Sequence, residues 1–117
     1  MTSPLPKLKR SDRAILPLVL KKRWYDLIAS GEKVEEYREY KRFWSVRLLN
    51  WSDEAKRKHL FPIVAFSLGY NPATMFFKVP LAMPLVSEKA DHPEWGETTD
   101  PHYVIELRHQ VELEDWQ

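Results

Sequence analysis

The longest apolar runs of this chain are only as long as a β-strand, and this feature limits its fold more than any other. AILPLVL covers residues 14–20 and PIVAFSL covers residues 62–68. Runs of this length are typical of buried strands. Pro17 lies within the first run and favours an edge position or a bulge, because proline cannot donate to a strand ladder. A chain of 117 residues has room for one domain, so we predict a single α+β domain.

A short amphipathic helix is predicted directly after the first apolar run. Apolar residues recur at helical spacing within KRWYDLIAS, and Gly31 follows at the position where helices commonly stop. Lys21 and Lys22 begin a basic stretch at the start of this helix, which opposes the helix dipole. This arrangement indicates an anion nearby and makes both lysines candidate substrate contacts.

The remaining apolar patterns predict further strands and one more short helix. In chain order, the predicted elements are a strand at 34–39, a short helix at 41–50, an N-capped turn begun by Ser52, a hairpin of residues 62–68 and 74–79, and one closing strand at 102–114. Residues 81–101 are expected to be a long connection, because they hold several prolines and many acids.

Charge is distributed unevenly along the chain, although the formal net charge is only +1. Residues 1–60 carry 15 Lys and Arg against 8 Asp and Glu, whereas residues 61–117 carry 3 against 9. The pattern is typical of a face that meets nucleic-acid phosphates, or of two halves that pair with each other. Residues 1–13 are predicted to form a basic, partly mobile arm that leads into a domain over 14–117.

Several classes of site are excluded by composition. The chain has no cysteine, which excludes disulfides, thiolate nucleophiles and cysteine-based metal sites. The four histidines lack close ligand spacing, and no glycine-rich phosphate loop or nucleophile elbow is present, so we expect no metal and no cofactor. No apolar run approaches the roughly 20 residues of a membrane span, which predicts a cytoplasmic protein without membrane contact.

A recognisable motif lies in LVLKKRWYDLIASGEKVEEYRE, residues 18–39, where Gly31-x-Lys33-x-x-Glu36-x-Arg38 follows a strand and a short helix. This order resembles the signature of the ASCH family, a small PUA-like superfamily associated with RNA. The later segments FSLGYNP and WGETTDPHYVIEL are similar to the same layout, so the resemblance covers most of the chain from residue 14 onward. It implies a small PUA-like mixed β-barrel flanked by two or three short helices, and a bacterial or phage source.

The resemblance also implies a cleft in which the motif lysine meets RNA or a modified nucleoside. Characterised bacterial ASCH proteins include amidohydrolases that remove the acetyl group from N4-acetylcytidine, using that lysine, a hydroxyl residue on the next strand and a separate glutamate. Lys33 matches the lysine, whereas Glu36 stands where those enzymes carry threonine. Glu94 and Glu97 are the candidates for the separate glutamate.

The residue chemistry alone supports a related hypothesis. Glu36 as a general base, Lys33 as the group that polarises a carbonyl or phosphoryl oxygen, and Arg38 as an anion clamp form a coherent metal-free hydrolase site. Tyr37 could add a proton donor for RNA cleavage. The alternative is a structural salt bridge between Glu36 and Arg38 beside a solvated Lys33.

Aromatic residues are candidate stacking surfaces for bases. Tyr70, in a turn, and Trp95, in the polar connection, are candidates for exposed stacking, although each would also serve as an anchor for its loop. Trp24, Trp44 and Trp51 are predicted to fill the core.

Two classes of function follow from these observations. The first is an ASCH-type domain that binds RNA or a modified nucleoside, either as a pure binding module or as a hydrolase. In that hypothesis the catalytic candidates are Lys33 and Glu36, and the substrate-binding candidates are Lys21, Lys22, Tyr37, Arg38, Tyr70 and Trp95. The second is a non-catalytic regulatory protein that docks a protein partner through its charged surfaces.

Overall fold

The computed structural model describes residues 5–80, 83–114 and 116. These residues form eight strands and two α-helices, with short 3-10 helices at Arg10–Asp12 and Pro93–Trp95. The α-helices are α1 (Lys22–Ala29) and α2 (Arg42–Arg57). The strands are β1 (Lys7–Leu8), β2 (Arg13–Leu20), β3 (Glu35–Glu39), β4 (Phe61–Leu68), β5 (Met75–Lys78), β6 (Leu85–Ser87), β7 (His102–Glu106) and β8 (His109–Leu113). The predicted α+β class is confirmed.

The strands form two sheets, one of five strands in the order β1-β8-β5-β4-β2 and one of three in the order β3-β7-β6. β2 and β4 are parallel over their full lengths, with Arg13 opposite Phe61 and Leu20 opposite Leu68. β5 pairs antiparallel with β4 and with β8. Within the described residues the two sheets are not closed into a barrel, so the PUA-like barrel stays a prediction.

β2 lies at an edge of the larger sheet, as Pro17 predicts. Its side chains alternate, with Leu16 and Leu18 buried and Pro17 and Val19 exposed. Proline is tolerated on this strand because an edge strand pairs on one side only.

The main core packs the two helices against the larger sheet. Leu48 and Ala55 of α2 are completely buried, and Ile28 of α1 joins the same cluster. These positions lie on one face of each helix, which is the pattern of a helix that packs on a sheet. Neither helix of the described chain has both the length and the apolar character needed to cross a membrane.

The three predicted core tryptophans occupy different environments. Trp51 is buried, and its Nε1 donates to the carbonyl oxygen of Ala14 at 3.0 Å. Trp24 and Trp44 pack against the core but are only half-buried. The core prediction is therefore confirmed for Trp51 and holds only in part for the other two.

The second helix is longer than predicted. It continues from Arg42 to Arg57, so Ser52 is buried inside the helix, and the prediction of a separate N-capped turn is wrong. The extension keeps Trp51 and Ala55 on the apolar face that Leu48 begins. Ion pairs at i,i+4 spacing also support its last turn, since such pairs stabilise helices.

The end of the chain also differs from the prediction of one closing strand. It forms β7 and β8, which belong to different sheets. At the crossing, the Leu107 amide donates to Val34 O at 2.9 Å and the Arg108 amide donates to Lys78 O at 3.2 Å. β6 lies inside the segment expected to be an irregular connection, and it pairs antiparallel with β7.

Part of the predicted N-terminal arm pairs with the larger sheet. Lys7 and Leu8 lie parallel to β8, opposite Glu112 and Leu113. Residues 1–4 of that arm lie outside the described residues.

Candidate functional site

A cavity of about 270 Å³ lies where the end of β2, α1, β3 and the loop around Trp95 meet. We call it the base cavity, defined by Val19, Leu20, Lys21, Trp24, Lys33, Glu36, Tyr37, Arg38, Trp95 and Gly96. Both predicted catalytic residues and four of the predicted substrate-binding residues are in its wall. The two sheets thus bring together residues from opposite parts of the chain.

Lys33 reaches the cavity because α1 ends sharply. Gly31 has a φ of +84°, a left-handed conformation that favours glycine at the end of a helix. The Lys33 amide then donates to Leu27 O at 3.0 Å, which turns the chain back toward the helix. Lys33 is only 2% exposed, so the alternative of a solvated Lys33 is wrong.

Glu36 lies between two cations. Its Oε1 accepts hydrogen bonds from Lys33 Nζ at 2.9 Å and from the Tyr37 amide at 3.1 Å. Its Oε2 accepts from Arg38 Nη2 at 2.8 Å. Strand alternation places Glu36 and Arg38 on one face of β3, as the sequence predicts. We call Lys33, Glu36 and Arg38 the cavity cluster, in which one carboxylate faces two positive charges.

Aromatic rings surround the ammonium group of Lys33. Its Nζ lies 4.5 Å from the ring centroid of Trp24 and 5.4 Å from that of Tyr37. Cations at these distances are attracted to the negative face of an aromatic ring. The rings and Glu36 together hold a buried lysine in one position.

Arg38 is less completely satisfied than Lys33. Its Nη2 also donates to Val19 O at 3.1 Å, and its guanidinium carbon lies 4.9 Å from the ring centroid of Trp44. Its Nε is buried and has no hydrogen-bond partner among the described residues. A buried donor left unpaired costs about 1–3 kcal/mol, so Arg38 is the least well satisfied of the three charged residues.

Tyr37 is a hydrogen-bond donor rather than a base. Its hydroxyl donates to Glu35 Oε1 at 2.9 Å. Burial raises the pKa of Tyr37 well above its usual range, and the hydrogen bond to Glu35 raises it further. The phenol therefore keeps its proton at neutral pH.

The opposite wall of the cavity is a loop that approaches α1 closely. Trp95 stacks on His92, with ring centroids 4.0 Å apart. Gly96 has a φ of +90°, and a Cβ atom at this position would lie 2.8 Å from Cζ2 of Trp24. Only glycine fits this conformation and this contact.

A second buried ion pair, between Glu97 and His102, holds the loop that carries Trp95 in place. Glu97 Oε2 lies 2.7 Å from His102 Nε2, and Glu97 Oε1 accepts from the His92 amide at 2.8 Å. His102 Nδ1 lies 2.6 Å from Asp100 O. Burial alone would lower the pKa of His102, but the Asp100 carbonyl and the Glu97 carboxylate raise it overall. We call Glu97 and His102 the loop pair.

Two predicted substrate-binding residues lie outside the cavity wall, and so do both candidates for a separate glutamate. Lys22 pairs with Asp26 at 2.6 Å on the exposed side of α1, and Tyr70 is fully exposed in the turn after β4.

Of the two glutamate candidates, Glu97 belongs to the loop pair. Glu94 lies 3.1 Å from the ring of His92, and its own backbone amide, followed by the His92 bond, lowers the pKa of its carboxyl. Within the wall, Glu36 is therefore the acid.

Sequence reasoning missed four residues of the wall: Val19, Leu20, Trp24 and Gly96. Trp24 has the spacing of an ordinary core residue. The one available signal is its place in the first turn of a helix with a basic start. Gly96 gives no signal of its own, because its role depends on contact with Trp24 in a distant segment.

The site combines hydrogen-bond donors with flat aromatic walls. Lys33 and Arg38 can donate to oxygen or nitrogen acceptors, and the rings of Trp24 and Trp95 can contact a planar group. Within residues 5–80, 83–114 and 116, no three acidic or histidine side chains converge as metal ligands.

Comparison of the chain with known proteins found no matching family model, no similar curated protein and no similar solved structure. The ASCH resemblance therefore stays a prediction from the motif residues, and a functional proposal depends on the geometry of the base cavity.

Proposed function

We propose that this chain is an ASCH-type domain of the PUA-like kind that binds a base of RNA, or a modified nucleoside, in the base cavity. A cytoplasmic location belongs to the same proposal. The observation that carries it is the meeting, in one cavity, of a buried cluster with excess positive charge and of tryptophans from two separate segments.

The size of the cavity favours a small ligand. Sites for small molecules usually enclose about 300–1,000 Å³. The base cavity, at about 270 Å³, lies just below this range. A single base or nucleoside matches that volume better than a folded partner does.

The chemistry of the wall suits a nucleobase. Bases are planar and carry carbonyl and ring-nitrogen acceptors on their edges. Lys33 and Arg38 are the wall residues that carry charged donor groups beside Glu36. Stacking on aromatic side chains contributes about 1–3 kcal/mol per base, which Trp24 or Trp95 can provide.

Metal-free hydrolysis is a second candidate, favoured by the direct contact of Lys33 and Glu36 at 2.9 Å beside the cavity. The ammonium group would stabilise developing negative charge on the substrate, while Glu36 would accept a proton from water. Both oxygens of Glu36 already accept hydrogen bonds, so this role needs one of those bonds to break first. Binding needs no such change and is the stronger proposal.

A combined binding and turnover assay tests both candidates. Purified protein would be titrated with N4-acetylcytidine, cytidine and a mixed-sequence single-stranded RNA in chelator, alongside Lys33→Ala, Glu36→Gln and the control Lys56→Ala. Lys56 is exposed in the last turn of α2, away from the cavity. We expect Lys33→Ala to weaken binding about tenfold, as loss of a charged hydrogen bond does, and Lys56→Ala to leave nucleoside binding unchanged.

Product that is lost in both Lys33→Ala and Glu36→Gln would establish the hydrolase. Binding of none of the three ligands, or wild-type affinity in Lys33→Ala, would contradict the proposed function. Absence of binding by all three ligands would favour the protein-docking hypothesis instead.

A further inference from the structure

A second depression adjoins the base cavity, between α2 and the outer edge of β2. It encloses about 540 Å³. We call it the edge groove and define it by Pro17, Val19, Arg38, Phe43, Trp44 and Arg47. Val19 and Arg38 are in the walls of both depressions, so the two depressions are adjacent.

The edge groove offers aromatic surface next to a cation. Phe43 is 49% exposed and meets Trp44 edge-to-face, with ring centroids 5.0 Å apart. The guanidinium carbon of Arg47 lies 3.4 Å from the ring centroid of Phe43, and its Nη1 donates to Phe43 O at 3.1 Å. The described residues give Arg47 no carboxylate partner.

The charge of the groove favours an anion. Arg47 and Arg38 are both in its wall, and the Arg38 side chain is 17% exposed. Glu54 also lies in the groove wall, but it pairs with Lys58 at 3.6 Å. Guanidinium groups bind phosphate through planar, paired hydrogen bonds. An anionic group that leaves the base cavity past Arg38 would therefore meet Arg47 next.

An extended peptide is a poorer occupant, although the groove follows an edge strand. A peptide that adds to a sheet needs a continuous row of free backbone donors and acceptors. On β2, Pro17 has no N–H, Val19 O accepts from Arg38, and Ala14 O accepts from Trp51. The strand edge thus lacks the continuous pattern on which peptide addition depends.

We propose that the edge groove binds the nucleotide adjacent to the base in the base cavity, so that the ligand is a single-stranded nucleic acid and not a free nucleoside. Arg38 and Arg47 would bind the phosphate that joins the two nucleotides, and Phe43 would contact the second base. This inference rests on the proposed function, because it needs a base in the base cavity.

The test compares cytidine, uridine, adenosine and guanosine with the matching RNA tetranucleotides, each titrated at two salt concentrations. Phe43→Ala and Arg47→Ala are the variants, and Arg57→Ala is the control. Arg57 lies on the same helix, is exposed and pairs with Asp53 outside the groove. Phe43 and Arg47 are themselves exposed, and circular dichroism verifies that each variant folds.

We expect the best tetranucleotide to bind at least about tenfold more tightly than its nucleoside, because one more base is stacked and phosphates are contacted. Phe43→Ala should remove about tenfold of tetranucleotide affinity, and Arg47→Ala should reduce the salt dependence by about one phosphate contact. Nucleoside affinity should stay unchanged in both variants.

Nucleoside binding without any gain for the tetranucleotide would overturn this inference and leave the proposed function intact. Tetranucleotide binding that Phe43→Ala and Arg47→Ala do not weaken would also overturn it. If an acidic peptide competes for the groove in an Arg47-dependent manner while the tetranucleotides do not bind, the occupant is a protein. Absence of binding by nucleosides and tetranucleotides alike would contradict both proposals.

Discussion

The cavity cluster and the loop pair are both buried ionic groups, yet they differ in how completely they are satisfied. In the loop pair, one carboxylate faces one imidazole, and Glu97 and His102 each make a second hydrogen bond to the backbone. In the cavity cluster, one carboxylate faces two cations, and Arg38 keeps a buried nitrogen without a partner in the described part of the chain. The cluster also borders a cavity.

This difference separates a structural ion pair from a candidate binding site. Burial of charge alone is weak support for function, because buried pairs also fix loops in place. Excess positive charge beside open volume is a feature that an anionic or electron-rich ligand would satisfy. Under the proposed function, recognition therefore belongs to the cavity cluster and support of the loop to the loop pair.

The largest expected effect comes from removing the carboxylate of the cavity cluster. Glu36→Ala leaves Lys33 and Arg38 as buried cations without a counter-charge, so the free energy of unfolding should fall by about 3–5 kcal/mol. Glu39→Ala is the matched control on the same strand. Its salt bridge to Lys41 at 3.6 Å is exposed and should contribute at most about 1 kcal/mol. Denaturant unfolding compares the two, and equal losses would contradict the buried cluster.

Neutralising the loop pair should lower stability without removing recognition. Glu97→Gln keeps the shape of the side chain but loses its charge, so the free energy of unfolding should fall by about 1–3 kcal/mol. Glu94→Gln, at an exposed site of the same loop, should leave the free energy of unfolding close to that of wild type. Nucleoside affinity of Glu97→Gln, measured well below its melting temperature, should remain within about twofold of wild type. A loss of affinity as large as that of Lys33→Ala would show that the loop pair belongs to the binding site.

The contact between the two walls can be isolated with a pair of glycine substitutions. Gly31→Ala and Gly96→Ala both place a Cβ at positive φ, which should lower stability by about 1–2 kcal/mol each. Only at Gly96 does the new atom meet Trp24, whereas Gly31 has nothing within 4 Å. Gly96→Ala should therefore lose more stability than Gly31→Ala and should also weaken ligand binding. Equal losses of stability and of ligand affinity in the two variants would show that the close contact between Gly96 and Trp24 is not needed.

The smallest effect is a pH dependence that belongs to the loop pair. Because the fold raises the pKa of His102, its protonated form is favoured in the folded state. Its contribution to stability is fully present below about pH 6.5, the ordinary histidine pKa, and is lost as pH rises through the folded pKa. The hydrogen bond to Glu94 raises the pKa of the half-buried His92 as well, so His92→Gln is the control.

The free energy of unfolding, measured with urea as pH rises above about 6.5, should decline in wild type. The decline should be smaller in His102→Gln. An equal decline in both proteins would mean that folding does not raise the pKa of His102.

Much of the site could be predicted because it depends on local rules. Gly31 ends α1, and strand alternation puts Glu36 and Arg38 on one face, so the motif spacing alone indicates the cavity cluster. Trp24 escaped prediction because a helix residue in a cavity wall has the same spacing as one in the core. The stacking role of Trp95 remained open in the sequence because the conformation of its loop depends on Glu97 and His102.

The fold was predictable to a similar degree. The hairpin of β4 and β5 and the edge position of β2 follow from apolar runs, a turn and Pro17. The split of the last strand does not, because the two-residue alternation continues from β7 into β8 while the chain changes sheets at Leu107 and Arg108. Periodicity reports which side of a strand is buried, but it does not report which sheet the strand joins.

The most direct test of the central claim is an NMR titration of the tryptophan indole N–H signals with a mixed-sequence single-stranded RNA. Trp24 and Trp95 are in the wall of the base cavity, whereas Trp116 is in the wall of neither depression and its indole group donates to Ala73 O. We expect saturable shifts for Trp24 and Trp95 and none for Trp116. Unchanged signals from Trp24 and Trp95 in excess RNA would contradict the central claim.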